Sequence, residues 1–369
     1  MQEAKDTDLT IELFNFCRGT CTGCALSASE RREVEPNLSL ADFKTAIERV
    51  SEYGRQKDMT FRSVLTFGDV IWMPLNTLEK YWSTAVDHDV KLGCTMTLVD
   101  EREDHYRQAM ELLKSIEPTA VFDITIDPVR LQRYPDYAER IRMAIEIAPH
   151  VHTQVLLSEA VIEKFAPEEL SQLIVEHTGK PAVLGFAASL SNISHKNYRY
   201  DVKSAADYAV RYYCATPENL ALMQADLHRF HWNSAGSYSD FLKQTLHIGH
   251  QLDVFPNAYT VFGDVIFDHR NNGRKIGNLK NHTLEEVLSD VRLLTMSALN
   301  AAQLDADKEF GCNECEFKPA CSFNGVGMAR KIYSDFEVKS GSCYGPKGLV
   351  APHTPKKPTK RVITLSRAS

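Results

Sequence analysis

The nine cysteines of this 369-residue chain stand mostly in two groups, and these groups are the residues best placed to do chemistry. The first group has the spacing Cx3Cx2C and consists of Cys17, Cys21 and Cys24. The second has the spacing Cx2Cx5C with a further cysteine after a gap, and consists of Cys312, Cys315, Cys321 and Cys343. The odd total, without a secretory signal, argues against a disulfide framework and predicts thiolate ligands in a reducing cytoplasm.

The spacing of the first group suits an iron–sulfur cluster with one open position. Three thiolates on a short loop can hold three irons of a [4Fe–4S] cube, which leaves the fourth iron without a protein ligand. That iron can chelate the amino and carboxyl groups of S-adenosylmethionine and deliver the electron that cleaves its C–S bond. A zinc loop is the alternative, but zinc prefers four ligands and no further cysteine or histidine stands nearby.

The second group by itself allows two kinds of metal site. Four thiolates saturate either an iron–sulfur cluster or a single zinc ion, and the spacing alone leaves both open. The two remaining cysteines, Cys94 and Cys214, stand alone in the sequence. A lone cysteine usually serves as a small buried hydrophobic residue.

Alternating apolar runs and amphipathic stretches predict the elements that position these cysteines. A strand over Leu9–Phe16 leads directly into the first group. Five more apolar strands are predicted over Ser63–Phe67, Val90–Leu98, Ala120–Ile126, Val151–Leu157 and Ala182–Ala187. Helices are predicted from an N-cap at Ser39 to Gly54, and over Glu101–Ile116, Tyr137–Ile147 and Pro167–His177. This alternation indicates βα units around a parallel sheet, and six such strands predict an α/β fold, a partial (βα)6 barrel.

The pattern changes after residue 235, which predicts a domain boundary there. Thr260–Asp268 alternates around a glycine, turn residues follow at 271–273, and Leu284–Leu293 has the pattern of a short helix. We therefore expect a core domain over residues 1–235 and a small C-terminal module over 236–350. The basic segment 351–369 is expected to be a disordered tail.

The first cysteine group, followed by the barrel pattern, resembles the cluster motif of the radical S-adenosylmethionine superfamily. Gly23 stands where members often have an aromatic residue. The sequence TFGD at 66–69 resembles a reduced form of the Gly-Gly-Glu motif that binds the amino group of the cofactor. The segment 123–127 resembles the family's fourth strand, and Gln154 has a comparable place on the fifth. The resemblance implies cofactor contacts at Gly68, Asp69, Thr125, Asp127 and Gln154.

Residues 257–345 resemble the SPASM/twitch extension of the same superfamily. A SPASM extension normally holds two auxiliary clusters, but Asp268 and Gly325 stand where two cysteines are expected. The ligands of one auxiliary cluster are complete in the second cysteine group. The resemblance therefore implies a C-terminal iron–sulfur module with one auxiliary cluster that relays electrons, and two [4Fe–4S] clusters in all.

The implied reaction begins with a 5′-deoxyadenosyl radical that abstracts hydrogen from a substrate. The single auxiliary cluster favours oxidation or epimerisation of a sugar-like or cyclitol-like small molecule, and a peptide-modifying maturase is the alternative. An epimerase needs a hydrogen donor, for which Cys214 is the first candidate and Cys94 the second. A zinc-binding interaction protein is the alternative from a different class.

Charge and hydropathy narrow the expected partners. The net charge of −7 argues against a dedicated nucleic-acid surface. The sequence contains no apolar run of about 18 residues, so no membrane span is predicted. The expected partners are a small-molecule or peptide substrate and, through the resemblance, an external electron donor such as flavodoxin or ferredoxin. The expected location is the cytoplasm.

Overall fold

The computed structural model describes residues 5–19, 28–66, 68–157, 159–186, 208, 211–221, 246–256, 275, 277–289 and 308. The strands in this part are β1 Lys5–Glu12, β2 Met59–Thr66, β3 Lys91–Met96, β4 Val121–Ile126, β5 His152–Leu157, β6 Val183–Phe186, β7 Leu246–Ile248, β8 Asp253–Pro256 and β9 Gly277–Asn278. They form one sheet in the order β6-β5-β4-β3-β2-β1-β7-β8-β9.

Strand β1 lies inside this sheet. It pairs in parallel with β2 on one side and with β7 on the other, where Leu9 is opposite Leu246. Strands β2 to β6 continue the parallel pairing, and β8 and β9 add antiparallel strands beyond β7. The structure thus confirms the predicted α/β fold with a parallel sheet.

The described helices are α1 Leu40–Lys57, α2 Leu75–Val86, α3 Glu103–Ile116, α4 Pro128–Arg133, α5 Pro135–Ile147, α6 Glu159–Lys164, α7 Pro167–Thr178 and α8 Leu284–Leu288. Helix α1 begins as predicted, because the Ser39 side chain accepts a hydrogen bond from the backbone N–H of Asp42. Its residues Phe43, Ile47 and Val50 are buried at helical spacing. Within the described part of the chain, no helix has the length and apolar character needed to span a membrane.

The sequential order of β1 to β6 places the main helices on one side of the sheet. Right-handed crossovers between neighbouring parallel strands all pass over the same face. Helix α1 packs against α2, α2 against α3, α3 against α5, and α5 against α7, as a single layer requires. Strand side chains that point toward this layer, such as Cys94, Met96 and Ile124, are fully buried.

The alternate residues of the same strands form the opposite face of the sheet, which we call the inner face. Its described members on β3 to β5 include Thr95, Asp123, Thr125, His152 and Gln154, all of intermediate exposure. Side chains alternate along a strand, so these five point away from the helix layer. The inner face is thus polar, while the helix-facing side is apolar.

Several elements differ from the sequence prediction. Strand β1 ends at Glu12 rather than Phe16, and α2 was not predicted. Strands β7 and β8, with three and four residues, are too short to show alternation in the sequence. They extend the core sheet past the predicted boundary at residue 235. That boundary, the predicted hairpin over Thr260–Asp268 and the tail lie outside the described residues.

Candidate functional site

Cys17 lies five residues after the last residue of β1, Glu12, on the side of the sheet formed by the carboxyl ends of the parallel strands. Its backbone N–H donates to the carbonyl oxygen of Arg31 (3.1 Å), and the N–H of Gly19 donates to its Sγ (3.1 Å). The Arg31 guanidinium also donates to the Gly19 carbonyl oxygen. An N–H donor to sulfur favours the thiolate, which is the form that binds metal. Cys21 and Cys24 lie outside the described residues.

The loop after β2 packs directly on the segment that leads to Cys17. The backbone N–H of Asp69 donates to the carbonyl oxygen of Phe16 (2.7 Å). Gly68 has a φ of +62°, and a Cβ there would lie 2.5 Å from the carbonyl oxygen of Phe14. Gly68 is therefore required by the close approach of two backbones, and it places Asp69 beside Cys17.

We expect Gly68→Ala to lower the free energy of unfolding more than Gly179→Ala does. Both glycines have positive φ, but a Cβ at Gly179 would meet nothing within 4 Å. Left-handed backbone costs an alanine about 1–2 kcal/mol at either position. Overpacking adds about 1–3 kcal/mol at Gly68 only. Urea unfolding of both variants measures the difference, and equal losses would contradict the close-approach role.

The Asp69 carboxylate is buried, with 1% of the residue exposed. Its Oδ2 accepts hydrogen bonds from Thr97 Oγ1 (3.0 Å) and from the Tyr106 hydroxyl (2.8 Å). Its Oδ1 is buried and has no hydrogen-bond partner among the described residues. Burial raises the pKa of Asp69 to about 6, although both hydroxyl donors act to lower it. A buried carboxylate oxygen without a partner is costly and is suited to receive a donor from a ligand.

Thr97 connects this carboxylate to the cysteine. Its Oγ1 lies 3.9 Å from Cys17 Sγ and donates to Asp69. Thr97 follows β3 directly, so three neighbouring strand ends meet at this point. The structure therefore brings Cys17, Gly68 and Asp69, all predicted from the sequence, into one site.

Asp100, in the loop after β3, contacts the segment that contains Cys17, which we call the cysteine loop. Its carboxylate lies 3.1 Å from Arg18 Nε and accepts hydrogen bonds from Trp72 Nε1 (3.1 Å) and Arg102 Nε (3.1 Å). Burial acts to raise the pKa of Asp100, but the donors from Trp72 and Arg102 outweigh it and lower the pKa. The Asp100 N–H also donates to the Tyr106 hydroxyl (3.4 Å), which links this group to Asp69.

An aromatic stack covers the same side of the cysteine loop. The rings of Phe16 and Trp72 have centroids 4.1 Å apart, and the Arg102 guanidinium lies 4.1 Å from the Trp72 ring centroid. Cation–π and ring contacts of this kind hold side chains in place. They attach the residue before Cys17 to the loop that follows Asp69.

The predicted contacts on the fourth and fifth strands lie at the same edge of the sheet. Thr125 and Gln154 are in register, and Gln154 Nε2 donates to Thr125 Oγ1 (3.1 Å). Asp127 instead caps α4, where its Oδ1 accepts hydrogen bonds from the N–H groups of Val129 (2.9 Å) and Arg130 (3.2 Å). Thr125 and Gln154 thus face the inner side, whereas the Asp127 carboxylate is used by the helix cap. A ribose contact for any of the three stays a prediction.

A further row of polar side chains, which we call the inner row, crosses the inner face. Its described members are Glu12, Thr95, Asp123 and His152, related by strand register through position 66 of β2. His152 Nδ1 lies 3.4 Å from Asp123 Oδ1. The inner row lies two residues below Thr97, Thr125 and Gln154, away from the strand ends.

The two lone cysteines lie away from Cys17. Cys94 is fully buried on the helix-facing side of β3, and burial raises its thiol pKa well above the usual value. Cys214 follows Tyr212 and Tyr213, whose hydroxyls bond Ala182 and Leu184 at the beginning of β6. These contacts lie at the amino ends of the parallel strands, whereas Asp69 lies at their carboxyl ends. The structure does not bring Cys214 to the described site, and its role as a hydrogen donor stays a prediction.

Sequence reasoning missed several residues of the site. Thr97, Asp100, Tyr106, Trp72 and Arg18 have no spacing that marks them, because they meet only when three loops fold together. For Arg18, Trp72, Thr97 and Asp100, a position at or shortly after the end of a predicted strand was the available signal, since sites of parallel sheets form at those ends. Tyr106 lies in a helix and had no such signal. The second cysteine group, Cys312, Cys315, Cys321 and Cys343, lies outside the described residues.

The described residues fit the cofactor that the sequence implies. A thiol at the edge of the sheet is a suitable iron ligand, and the adjacent buried Oδ1 of Asp69 lacks a donor. The amino group of S-adenosylmethionine can supply that donor, and Thr125 and Gln154 offer further polar contacts nearby. No group of three or more metal-ligating side chains is found within the described residues, which include only one cysteine of the first group.

Solved structures with bound AdoMet share this fold. Native anSMEcpe with bound AdoMet matches with a TM-score of 0.59 and 12% sequence identity, over 85% of this chain and 88% of that chain. Native anSMEcpe with bound AdoMet and Kp18Cys peptide matches with a TM-score of 0.59 and 11% identity, over 86% and 88%. No family model and no curated protein matches the chain. At this level of identity the likeness shows the fold alone.

Proposed function

We propose that this chain is a radical S-adenosylmethionine enzyme. The observation that best supports the proposal is the buried, unpaired Oδ1 of Asp69, placed beside Cys17 by Gly68 and Thr97. The likeness to AdoMet-containing structures supports it independently. In this proposal Cys17, Cys21 and Cys24 hold a [4Fe–4S] cluster, and the strands form a partial (βα)6 barrel around the inner face.

Each described residue of the site has a defined task in this proposal. The cluster and S-adenosylmethionine, when bound, supply the 5′-deoxyadenosyl radical that abstracts a hydrogen atom from the substrate. Asp69 Oδ1 accepts a hydrogen bond from the amino group of the cofactor, and Thr97 and Tyr106 hold that carboxylate in position. Asp100 and Trp72 hold the cysteine loop through Arg18 and Phe16.

The C-terminal part of the proposal rests on the sequence. Cys312, Cys315, Cys321 and Cys343 would hold one auxiliary [4Fe–4S] cluster in a SPASM/twitch-like module, which gives two clusters in all. Electrons would come from an external donor such as flavodoxin or ferredoxin. A cytoplasmic location, where thiolates stay reduced, goes with this assignment.

The reaction we propose is oxidation or epimerisation of a hydroxyl-bearing small molecule. The polar inner face supports this choice, because hydroxyl groups need hydrogen-bond partners when buried. Peptide modification is the second candidate, and the anSMEcpe structure with bound Kp18Cys peptide favours it. Both candidates use the same site and the same first step.

Anaerobic purification and reconstitution tests the proposal. We expect about eight irons per chain and formation of 5′-deoxyadenosine when dithionite and S-adenosylmethionine are added. Iron and sulfide analysis, with chromatography of the nucleoside product, measures both. Bound zinc without iron, or reconstituted clusters that yield no 5′-deoxyadenosine, would contradict it and favour a zinc-binding interaction protein.

A further inference from the structure

The described inward side chains near the ends of β1 and β3 to β5 are polar. Bulky branched residues usually fill the inward positions of such sheets. Here the described members of the inner row are Glu12, Thr95, Asp123 and His152. The next row toward the strand ends contains Thr97, Thr125 and Gln154, and register continues it to Val183 on β6. Two successive, mostly polar rows indicate a surface that contacts a polar ligand, because buried polar groups need partners.

Asp123 and His152 are the accessible charged pair of this surface. Their side chains are 22% and 31% exposed, whereas Glu12 is only 2% exposed. His152 Nδ1 lies 3.4 Å from Asp123 Oδ1, so an Nδ1–H directed at the carboxylate leaves Nε2 as an acceptor. The pair therefore offers mainly acceptors: the second carboxylate oxygen of Asp123 and the free ring nitrogen of His152. Acceptors of this kind bind hydroxyl and ammonium groups.

Among the described side chains of the two rows, Glu12 and Asp123 are acidic and none is a lysine or arginine. The first inward basic position on β3 is Lys91, at its beginning and about 13 Å from Thr95. A low-dielectric surface lined by carboxylates attracts cations and repels anions.

We propose that Asp123 and His152 determine substrate specificity by selecting hydroxyl- or ammonium-bearing groups and rejecting phosphate and carboxylate groups. This inference rests on the proposed function, since it assumes that the substrate enters the inner face next to Thr125 and Gln154. The selected group belongs either to a free polyol or amino sugar or to a side chain of a peptide. The shared chemistry is a neutral or cationic hydrogen-bond donor.

The test uses reconstituted enzyme loaded with S-adenosylmethionine and two sets of matched probes. The ring set is D-glucosamine, D-glucose and D-glucose 6-phosphate, and the peptide set is acetyl-Gly-Lys-Gly-amide and acetyl-Gly-Glu-Gly-amide. Saturation-transfer NMR gives dissociation constants. We expect the cationic member of at least one set to bind at least about tenfold more tightly than the anionic member, a difference that site electrostatics readily supply. The set that binds identifies the source of the group.

Asp123→Asn should reduce that ratio to about threefold or less, because it removes the charge and keeps the shape. Glu111→Gln, at an exposed position of α3, is the matched control and should leave the ratio unchanged. A wild-type ratio near one, no binding by any probe, or equal ratios in both variants would overturn the inference. Formation of 5′-deoxyadenosine without substrate is measured alongside, and its absence in the wild type would instead count against the proposed function.

Discussion

Replacing Cys17 with alanine is expected to remove the first cluster and abolish 5′-deoxyadenosine formation. Two remaining thiolates, Cys21 and Cys24, cannot hold a cube that needs three protein ligands. The iron content should therefore fall from about eight to about four per chain, with the auxiliary cluster kept. Iron analysis and EPR of the dithionite-reduced protein measure the loss.

Cys94→Ala is the matched control for this experiment. Cys94 is fully buried in the apolar side of the sheet, and its thiol pKa is raised by burial, so it is unsuited to bind metal. We expect wild-type iron content and a loss of about 1–2 kcal/mol in unfolding free energy from the small cavity. Full iron content in Cys17→Ala, or loss of a cluster in Cys94→Ala, would refute the assignment of Cys17 as a ligand of the first cluster.

Asp69→Asn is expected to weaken binding of S-adenosylmethionine by about 10- to 100-fold. The substitution removes a charge-assisted hydrogen bond worth about 1.5–3 kcal/mol. The side chain keeps its shape, and the amide oxygen can still accept from Thr97 and Tyr106. Calorimetric titration of the reconstituted protein measures the affinity. Asp87→Asn, at an exposed position at the end of α2, should bind as the wild type does.

The raised pKa of Asp69 adds a pH dependence to the same comparison. Burial raises the pKa of Asp69 in the folded protein to about 6, above the usual 3.8 of an exposed aspartate, so the folded protein without cofactor binds this proton more tightly than the unfolded chain. Its unfolding free energy should rise relative to Asp69→Asn by up to about 3 kcal/mol as the pH falls from 7 toward 4. Affinity for S-adenosylmethionine should fall through the same range. A variant with the same pH profiles as the wild type would show that Asp69 is not the titrating group.

Much of the fold was predictable because hydrophobic periodicity acts over short distances. The Ser39 cap with α1, the helices α3, α5 and α7, and five of the seven described parallel strands follow from patterns within about ten residues. The prediction misplaced β1 by several residues, since the extended segment 13–16 is as apolar as the strand itself. It missed β7, whose three residues are defined only by pairing with β1.

The site was predictable to the extent that it lies in motifs. Cysteine spacing and the Gly68–Asp69 pair marked Cys17, Gly68 and Asp69, which the structure brings together. The groups that hold them, such as Tyr106 in α3 and Asp100 in the loop before it, come from other elements and have no local signature. Asp127 shows the opposite limit, because an aspartate before a proline also suits a helix N-cap, which is how the structure uses it.

The interior place of β1 has a consequence for how this protein is made. Leu9 pairs with Leu246, so one edge of β1 finds its neighbour only after most of the chain has been synthesised. Until β7 arrives, the nascent core exposes an unpaired strand next to the cysteine loop, a surface prone to pair with other chains. A cluster inserted before β7 pairs with β1 would bind next to an incomplete sheet. We therefore expect the first cluster to be inserted only after β7 has been synthesised and has paired with β1.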